Sequence, residues 1–440
     1  MKALHFTATL LALLPAIGCI IPGDDEQNDD GGDTNGDSSA SSPSTSNATT
    51  APATDEGSSS LDSGDSGSES SGSADSTGDS GDDDSTGDPI GTCESATLHM
   101  GNPYFNGEFA NWDAAGQPLL ADPPLRSRHL AAVDGKIMVE TQFEVWGAED
   151  GEVRRIAGDE EEFDSQYQPS GPCADVRLLI GFGIAALPGN RLAVADTRGN
   201  GIIELTDPFG ECTAAPIAGT QVQVFDADVS GGAAMHGDQD GPGAQALFFG
   251  PERLISDDAG NLYFVDSGNQ AIKRIADDAD RTVTTIYRYT DASPWGLTLM
   301  NGTLYVTGTT GGDDFLWSID PDAGTREVIY EGRGLLDEVD SSQTLNMTSL
   351  QHDGTDLLVA AAKGYIFRLS TAGEPLGIIA GIGDFADFPE VDVSMPVPVA
   401  ELPINSYSLN DAGFLRMGSE LYITSVGGGI GFHVWSIACE

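Results

Sequence analysis

Asp257-Asp-Ala-Gly260, then Asn261-Leu-Tyr-Phe-Val265, then Ile272-Lys-Arg-Ile275 reads as a tight turn, a strand, and a second strand running back. Short apolar bursts bounded by Gly, Asp and Asn are the pattern of antiparallel strands joined by turns. The middle run recurs as Lys136-Ile-Met-Val139, Arg191-Leu-Ala-Val194, Thr303-Leu-Tyr-Val306, Asp356-Leu-Leu-Val359 and Glu420-Leu-Tyr-Ile423. Before each stands a short apolar strand and a Gly-containing turn: Val133-Asp-Gly135, Leu187-Pro-Gly189, Met300-Asn-Gly302, His352-Asp-Gly354 and Asp411-Ala-Gly413. After each comes a third strand, at 143–146, 202–205, 315–319, 365–369 and 432–437.

A fourth strand closes the units, and three of these end on related words, Ile156-Ala-Gly158, Ile217-Ala-Gly219 and Ile379-Ala-Gly381. Six such sheets in series specify an all-β fold, a six-bladed β-propeller of four-stranded antiparallel blades. The sixth unit stops at Glu440 after its third strand, so the segment 96–100 is expected to supply the missing one and shut the ring. Cys93, Cys173, Cys212 and Cys439 allow three pairings; Cys93 and Cys439 would flank the join, leaving Cys173 and Cys212 around the second blade.

The third unit is the most regular: Gly237-Asp-Gln-Asp-Gly-Pro-Gly-Ala-Gln-Ala-Leu-Phe-Phe-Gly-Pro251 precedes Asp258-Ala-Gly-Asn-Leu-Tyr-Phe-Val-Asp-Ser-Gly-Asn269. This resembles the NHL-repeat propellers, whose pattern is D-G-x-G-x-x-A-x-F-x-x-P, G-N-L-Y-V-A-D-x-x-N and I-R-K-I. The second unit repeats it with Gly189-Asn-Arg-Leu-Ala-Val-Ala-Asp196 and Asn200, and the other four keep the strands and lose the Asp and Asn. Six-bladed relatives include lactonases, amidating lyases and sugar dehydrogenases. The resemblance therefore implies a ligand site at the channel mouth, holding a divalent metal or a quinone in the enzymes.

Charge divides the chain further. Its 440 residues hold 19 Lys+Arg against 70 Asp+Glu, a net charge of −51. So few cations exclude nucleic acid, whose phosphates need clustered Lys and Arg. Residues 20–92 contain 18 acidic residues and no Lys, Arg, His or aromatic side chain, a composition that cannot bury a core. Residues 1–18 read as an export signal, with Lys2 before an apolar stretch. Ala16-Ile-Gly-Cys19 resembles a bacterial lipobox, although it lacks the usual Leu at its first position; the plainer alternative is an ordinary cleavage after Gly18. The expected organisation is thus a signal over 1–18, a disordered acidic tether over 19–92 lipidated at Cys19, and the propeller over 93–440. That places the protein outside the cytoplasm, at the outer membrane or cell surface, as a monomer touching the membrane only through its lipid.

In a propeller the fourth-to-first and second-to-third connections share one face, and four of the former are long, at 158–180, 219–251, 332–347 and 381–405. They carry Glu160, Glu161, Glu162, Phe163, Tyr167, Phe225, Asp226, Asp384, Phe385, Asp387 and Phe388, a rim suited to a cationic partner, a sugar or Ca²⁺. Candidate binding residues are His129, Glu140, Asp196, Glu252, Asp266 and Trp295. For Asp196 and Asp266, with Asn200 and Asn269, the plainer role is fixing the turn that follows the second strand. His129, His236, His352 and His433 show no metal-ligand spacing, and Asp238-Gln-Asp-Gly241 lacks the later ligands of a Ca²⁺ loop. No nucleophile elbow, P-loop or dinucleotide fingerprint occurs. The leading expectation is a non-catalytic propeller that binds a protein or carbohydrate partner. The alternative is a metal-dependent lactonase or lyase using Glu140, Asp196, Glu252, Asp266 and His129.

Overall fold

Twenty-eight strands and four single 3-10 turns make up the regular structure of the computed structural model, with no α-helix among the described residues. These are residues 90–101, 104–105, 108–109, 129–141, 143–149, 152–158, 167–219, 236–383, 395–402, 404, 413–427 and 431–440. All belong to one compact unit, Gly78–Glu440. The export signal, Cys19 and the acidic segment up to 89 lie outside the described residues.

A closing strand β1 (Cys93–Gly101) comes first, then a small hairpin, β2 (Tyr104–Phe105) with β3 (Glu108–Phe109). Blade one is β4 (His129–Val133), β5 (Lys136–Glu140), β6 (Glu144–Glu149) and β7 (Glu152–Gly158). After β8 (Gly171–Pro172), blade two is β9 (Gly181–Leu187), β10 (Arg191–Asp196), β11 (Gly201–Thr206) and β12 (Thr213–Gly219). Blade three is β13 (Pro251–Ser256), β14 (Leu262–Asp266), β15 (Ala271–Ile275) and β16 (Val283–Arg288). Blade four is β17 (Ala292–Met300), β18 (Thr303–Thr310), β19 (Asp313–Asp320) and β20 (Thr325–Gly332). Blade five is β21 (Met347–His352), β22 (Leu357–Ala361), β23 (Tyr365–Leu369) and β24 (Pro375–Ala380). After β25 (Val397–Pro398), blade six is β26 (Phe414–Met417), β27 (Glu420–Gly427) and β28 (Gly431–Cys439), completed by β1.

The ring closes as the repeat count requires. β1 pairs antiparallel with β28, Ala96 against Ile437 and Leu98 against Trp435. Disulfides join Cys93 to Cys439 across this pairing and Cys173 to Cys212 beside blade two. Each first strand touches the next around the centre, from β4 through β9, β13, β17, β21 and β26 back to β4. The core is divided among the interfaces between successive blades. Between blades one and two, Met138 and Val145 meet Leu192, Val194 and Leu205. Between blades six and one, Val139 and Trp146 meet Tyr422 and Val434.

Two features depart from the sequence pattern. Blades two and six each gain a two-residue fifth strand, β8 beside β12 and β25 beside β1, too short to show as an apolar run. In blade six Asp411-Ala-Gly413 is not the turn before the middle strand. Phe414–Met417 is itself the first strand, paired Met417 to Glu420, and Gly418, at φ 59°, makes the turn.

Candidate functional site

The face that carries the blade-to-blade connections is built on buried carboxylates. Asp196 ends β10, has no exposed surface, and accepts hydrogen bonds from the amides of Leu179 at 3.3 Å, Ile180 at 3.2 Å and Gly199 at 3.0 Å. The Tyr167 hydroxyl donates to the same carboxylate. Asp266 ends β14 in the same way, taking the Phe249 amide at 2.7 Å and the Asn269 side-chain amide at 2.8 Å. Asp314, on β19, takes the Leu345 and Asn346 amides at 2.5 and 2.9 Å, holding the connection into blade five. Desolvation lifts each of the three to about 6, and the hydrogen bonds they accept offset only part of that rise. Asn200 adds a link between blades, its side-chain oxygen accepting from the Gly250 amide at 2.9 Å.

At the start of the innermost strands lies a different arrangement. His129 opens β4 and pairs in register with Glu140, the last residue of β5. Its Nδ1 stands 2.8 Å from Glu140 Oε2, while Arg253 Nη1 of blade three stands 3.1 Å from its Nε2. His129, Glu140 and Arg253 are all buried. Two glycines of blade two make room for this chain of contacts across it. A Cβ at Gly181 would overlap the Glu140 carboxylate, and one at Gly183 would come within 2.8 Å of the Leu254 nitrogen and 2.9 Å of the Arg253 nitrogen.

Backbone irregularity gathers at this level. Phe182 and Gly183 together oppose one residue of β10, and Arg253 with Leu254 oppose one of β14. Trp295 is the extra residue in β17, and Thr348 is the extra residue in β21. Arg253 also sits at φ 59°, a left-handed conformation that costs a non-glycine residue about 1–3 kcal/mol and tends to mark functional positions. Bulges at one level of four inner strands re-aim side chains at one end of the channel.

The predicted residues therefore separate. His129 and Glu140 meet, and Glu252 adjoins the pair through Arg253; burial pushes its half-buried carboxyl up, while the Arg253 charge and the Ser267 hydroxyl oppose the rise. Trp295 is half-buried on its bulge. Asp196 and Asp266 point their oxygens at backbone amides and at the neighbouring Tyr167 and Asn269 side chains instead. Tyr167 is buried on Asp196 and is not part of an exposed rim, and the other rim acids and aromatics named above lie outside the described residues. The five residues considered for a metal do not converge. Among the described residues no three His, Cys, Asp or Glu side chains come together to hold one, and Asp196, Asp266 and the Oε2 atom of Glu140 already face donors. The sequence pattern singles out neither Arg253 nor Asp314 as a site residue. Neither sits at the end of a second strand, the one position at which the repeat pattern draws attention to a polar residue.

No protein family and no curated protein matches the sequence. Among solved structures the chain is similar to one from a nidogen/laminin complex, at 14% identity and TM-score 0.42, over 66% of this chain and 93% of that one. It is similar to a gluconolactonase from Xanthomonas campestris at 15% identity and TM-score 0.42, over 80% and 99%. It is also similar to virginiamycin B lyase from Staphylococcus aureus at 12% identity and TM-score 0.43, over 80% and 96%. At such values neither ligand nor chemistry passes from those proteins to this one.

Proposed function

We propose that this chain is an exported, lipid-anchored envelope protein whose NHL-like propeller binds a protein or carbohydrate partner on the face carrying the blade-to-blade connections, and catalyses nothing. One observation supports this most. Asp196, Asp266 and Asp314 direct their carboxylates at the amides leading into inner strands, where a catalytic or metal-binding carboxylate would direct them at a ligand. A stiff frame under long connections is the arrangement of a binding face. The catalytic alternative has one observation in its favour, the His129, Glu140 and Arg253 contacts around a strained backbone.

The test is capture by the oxidised full-length protein on an array of envelope glycans and purified envelope proteins. Binding that falls at least about tenfold in Asp314→Asn, whose loosened connection keeps the ring folded, is the expected outcome. Turnover of a lactone or ester that disappears in Glu140→Gln would overturn the reading. Lipidation is checked separately, by the mass of the N-terminal peptide beginning at Cys19.

A further inference from the structure

The groups that grip His129 fix where its protons lie. Arg253 can only donate, so Nε2, 3.1 Å from its Nη1, carries the lone pair; Nδ1 then carries the proton that Glu140 accepts at 2.8 Å. The resting imidazole is neutral. A second proton on Nε2 would set donor against donor and cation against cation, in a place where His129 is only 9% exposed and Arg253 6%, so that solvent screens the repulsion weakly. An anionic oxygen between the two resolves that conflict by accepting from both. A carboxylate suits the space that opens when the two part better than a spherical ion does, since its plane and two oxygens match the guanidinium fork. Glu140, behind the ring, stabilises the imidazolium that results.

We propose that the mouth of the channel is a proton-linked carboxylate site, in which His129 and Arg253 part to admit the anion and His129 takes up a proton as it binds. The proposal rests on the function proposed above only in placing ligands on this face. Among the described residues, the charged groups shown at His129 are Glu140 from β5 and Arg253 from β13, with Glu252 next to Arg253 along the strand. The mouth end of β9 offers the uncharged Gly181 and Phe182. Arg416 on β26 and Glu420 on β27 belong to the hairpin turn at the far end of blade six. The strong negative charge of the chain repels polyanions, but it is screened within roughly 10 Å at ordinary ionic strength, so a single carboxylate can still enter.

The measurement is ¹⁵N NMR of the imidazoles in the full-length protein, which has six His, with His129 assigned by its loss in His129→Gln. Acetate and sodium chloride are titrated in parallel at equal ionic strength between about pH 5 and pH 8. Before acetate, His129 is expected as the neutral tautomer protonated at Nδ1. Acetate is expected to raise its titration midpoint by about one pH unit while chloride leaves it in place. Arg253→Lys, which keeps the charge and loses the fork, should weaken the acetate response at least about fivefold. An Nε2-protonated tautomer, an equal shift with chloride, or no response to acetate each overturns the proposal. The wild-type titration decides even if the variant fails to fold. Partner capture that persists while acetate has no effect removes this site and leaves the binding face standing.

Discussion

Lys273 has no exposed surface, and its ammonium lies 2.9 Å from Asp238, 2.9 Å from Asp240 and 3.7 Å from Asp266. Burial alone would lower its pKa, but the hydrogen bonds it donates to Asp238 and Asp240 outweigh this and raise it. Lys273→Met leaves the three carboxylates without their shared cation and is expected to cost about 3–5 kcal/mol, read by urea denaturation. A loss under about 1 kcal/mol would mean that the connection through Gly237–Gly241 is held by other contacts. At Asp196, Asp266 and Asp314 desolvation prevails instead and lifts each from 3.8 to about 6. Because their folded values exceed the unfolded one, the stability they add is full below about pH 4 and lost as pH rises through 6. Asp314→Asn should therefore flatten the gain in Tm as pH is lowered from about 7.5 to about 4.5, and parallel melting curves for the two proteins would contradict this. Asp196 and Asp266 are legible in sequence because each repeats at the end of a middle strand with an Asn soon after. Lys273 is not, because a Lys amid alternating apolar residues reads as solvent-facing until a distant loop folds its carboxylates over it.

The strands themselves follow from local pattern, since apolar alternation needs only neighbouring residues to be recognised. The bulges of the inner strands answer instead to the next strand around the ring, which sequence does not reveal. Gly183 shows this dependence: nothing adjacent in sequence calls for glycine, yet the Arg253 and Leu254 backbone passes where a Cβ would stand. Gly183→Ala is expected to destabilise the protein by about 1–3 kcal/mol and to disturb the His129 resonances, because the displaced strand carries Arg253. An alanine variant with unchanged Tm and unchanged His129 signals would show that β13 does not need this close approach. The displaced turn in blade six has a related cause. Asp411-Ala-Gly413 copies the wording of the blade-three turn, while Gly418 supplies the positive φ that the hairpin uses. Of the channel-mouth site only His129 and Glu140 are legible, and only as separate residues, because they and Arg253 come from two blades and meet across a third.

A ring of similar blades is stable only if its last interface is as well made as the others, and here the first and last segments of the propeller make it. Ile90 is buried in the core between blades five and six. Its amide donates to Asp353 at 3.4 Å, and its carbonyl accepts from Arg368. The Glu440 amide donates to the Thr92 carbonyl at 3.0 Å. Cys93 and Cys439 lock this junction across a separation of 346 residues, whereas Cys173 and Cys212 span 39. On the chain-entropy account the long loop restrains the unfolded chain by roughly 6 kcal/mol and the short one by roughly 4. Opening the first bond also frees the outer strand of blade six to fray, exposing the edge of β28. Replacing Cys93 and Cys439 by Ser is thus expected to lower stability more than replacing Cys173 and Cys212, in urea unfolding without reductant. It should also promote self-association as the uncovered edge finds partners. If the two double variants unfold alike and neither self-associates more than the parent protein, the Asp353 and Arg368 contacts at Ile90 hold the ring shut without the disulfide, and Asp353→Ala in the Cys93/Cys439 variant becomes the change that opens it.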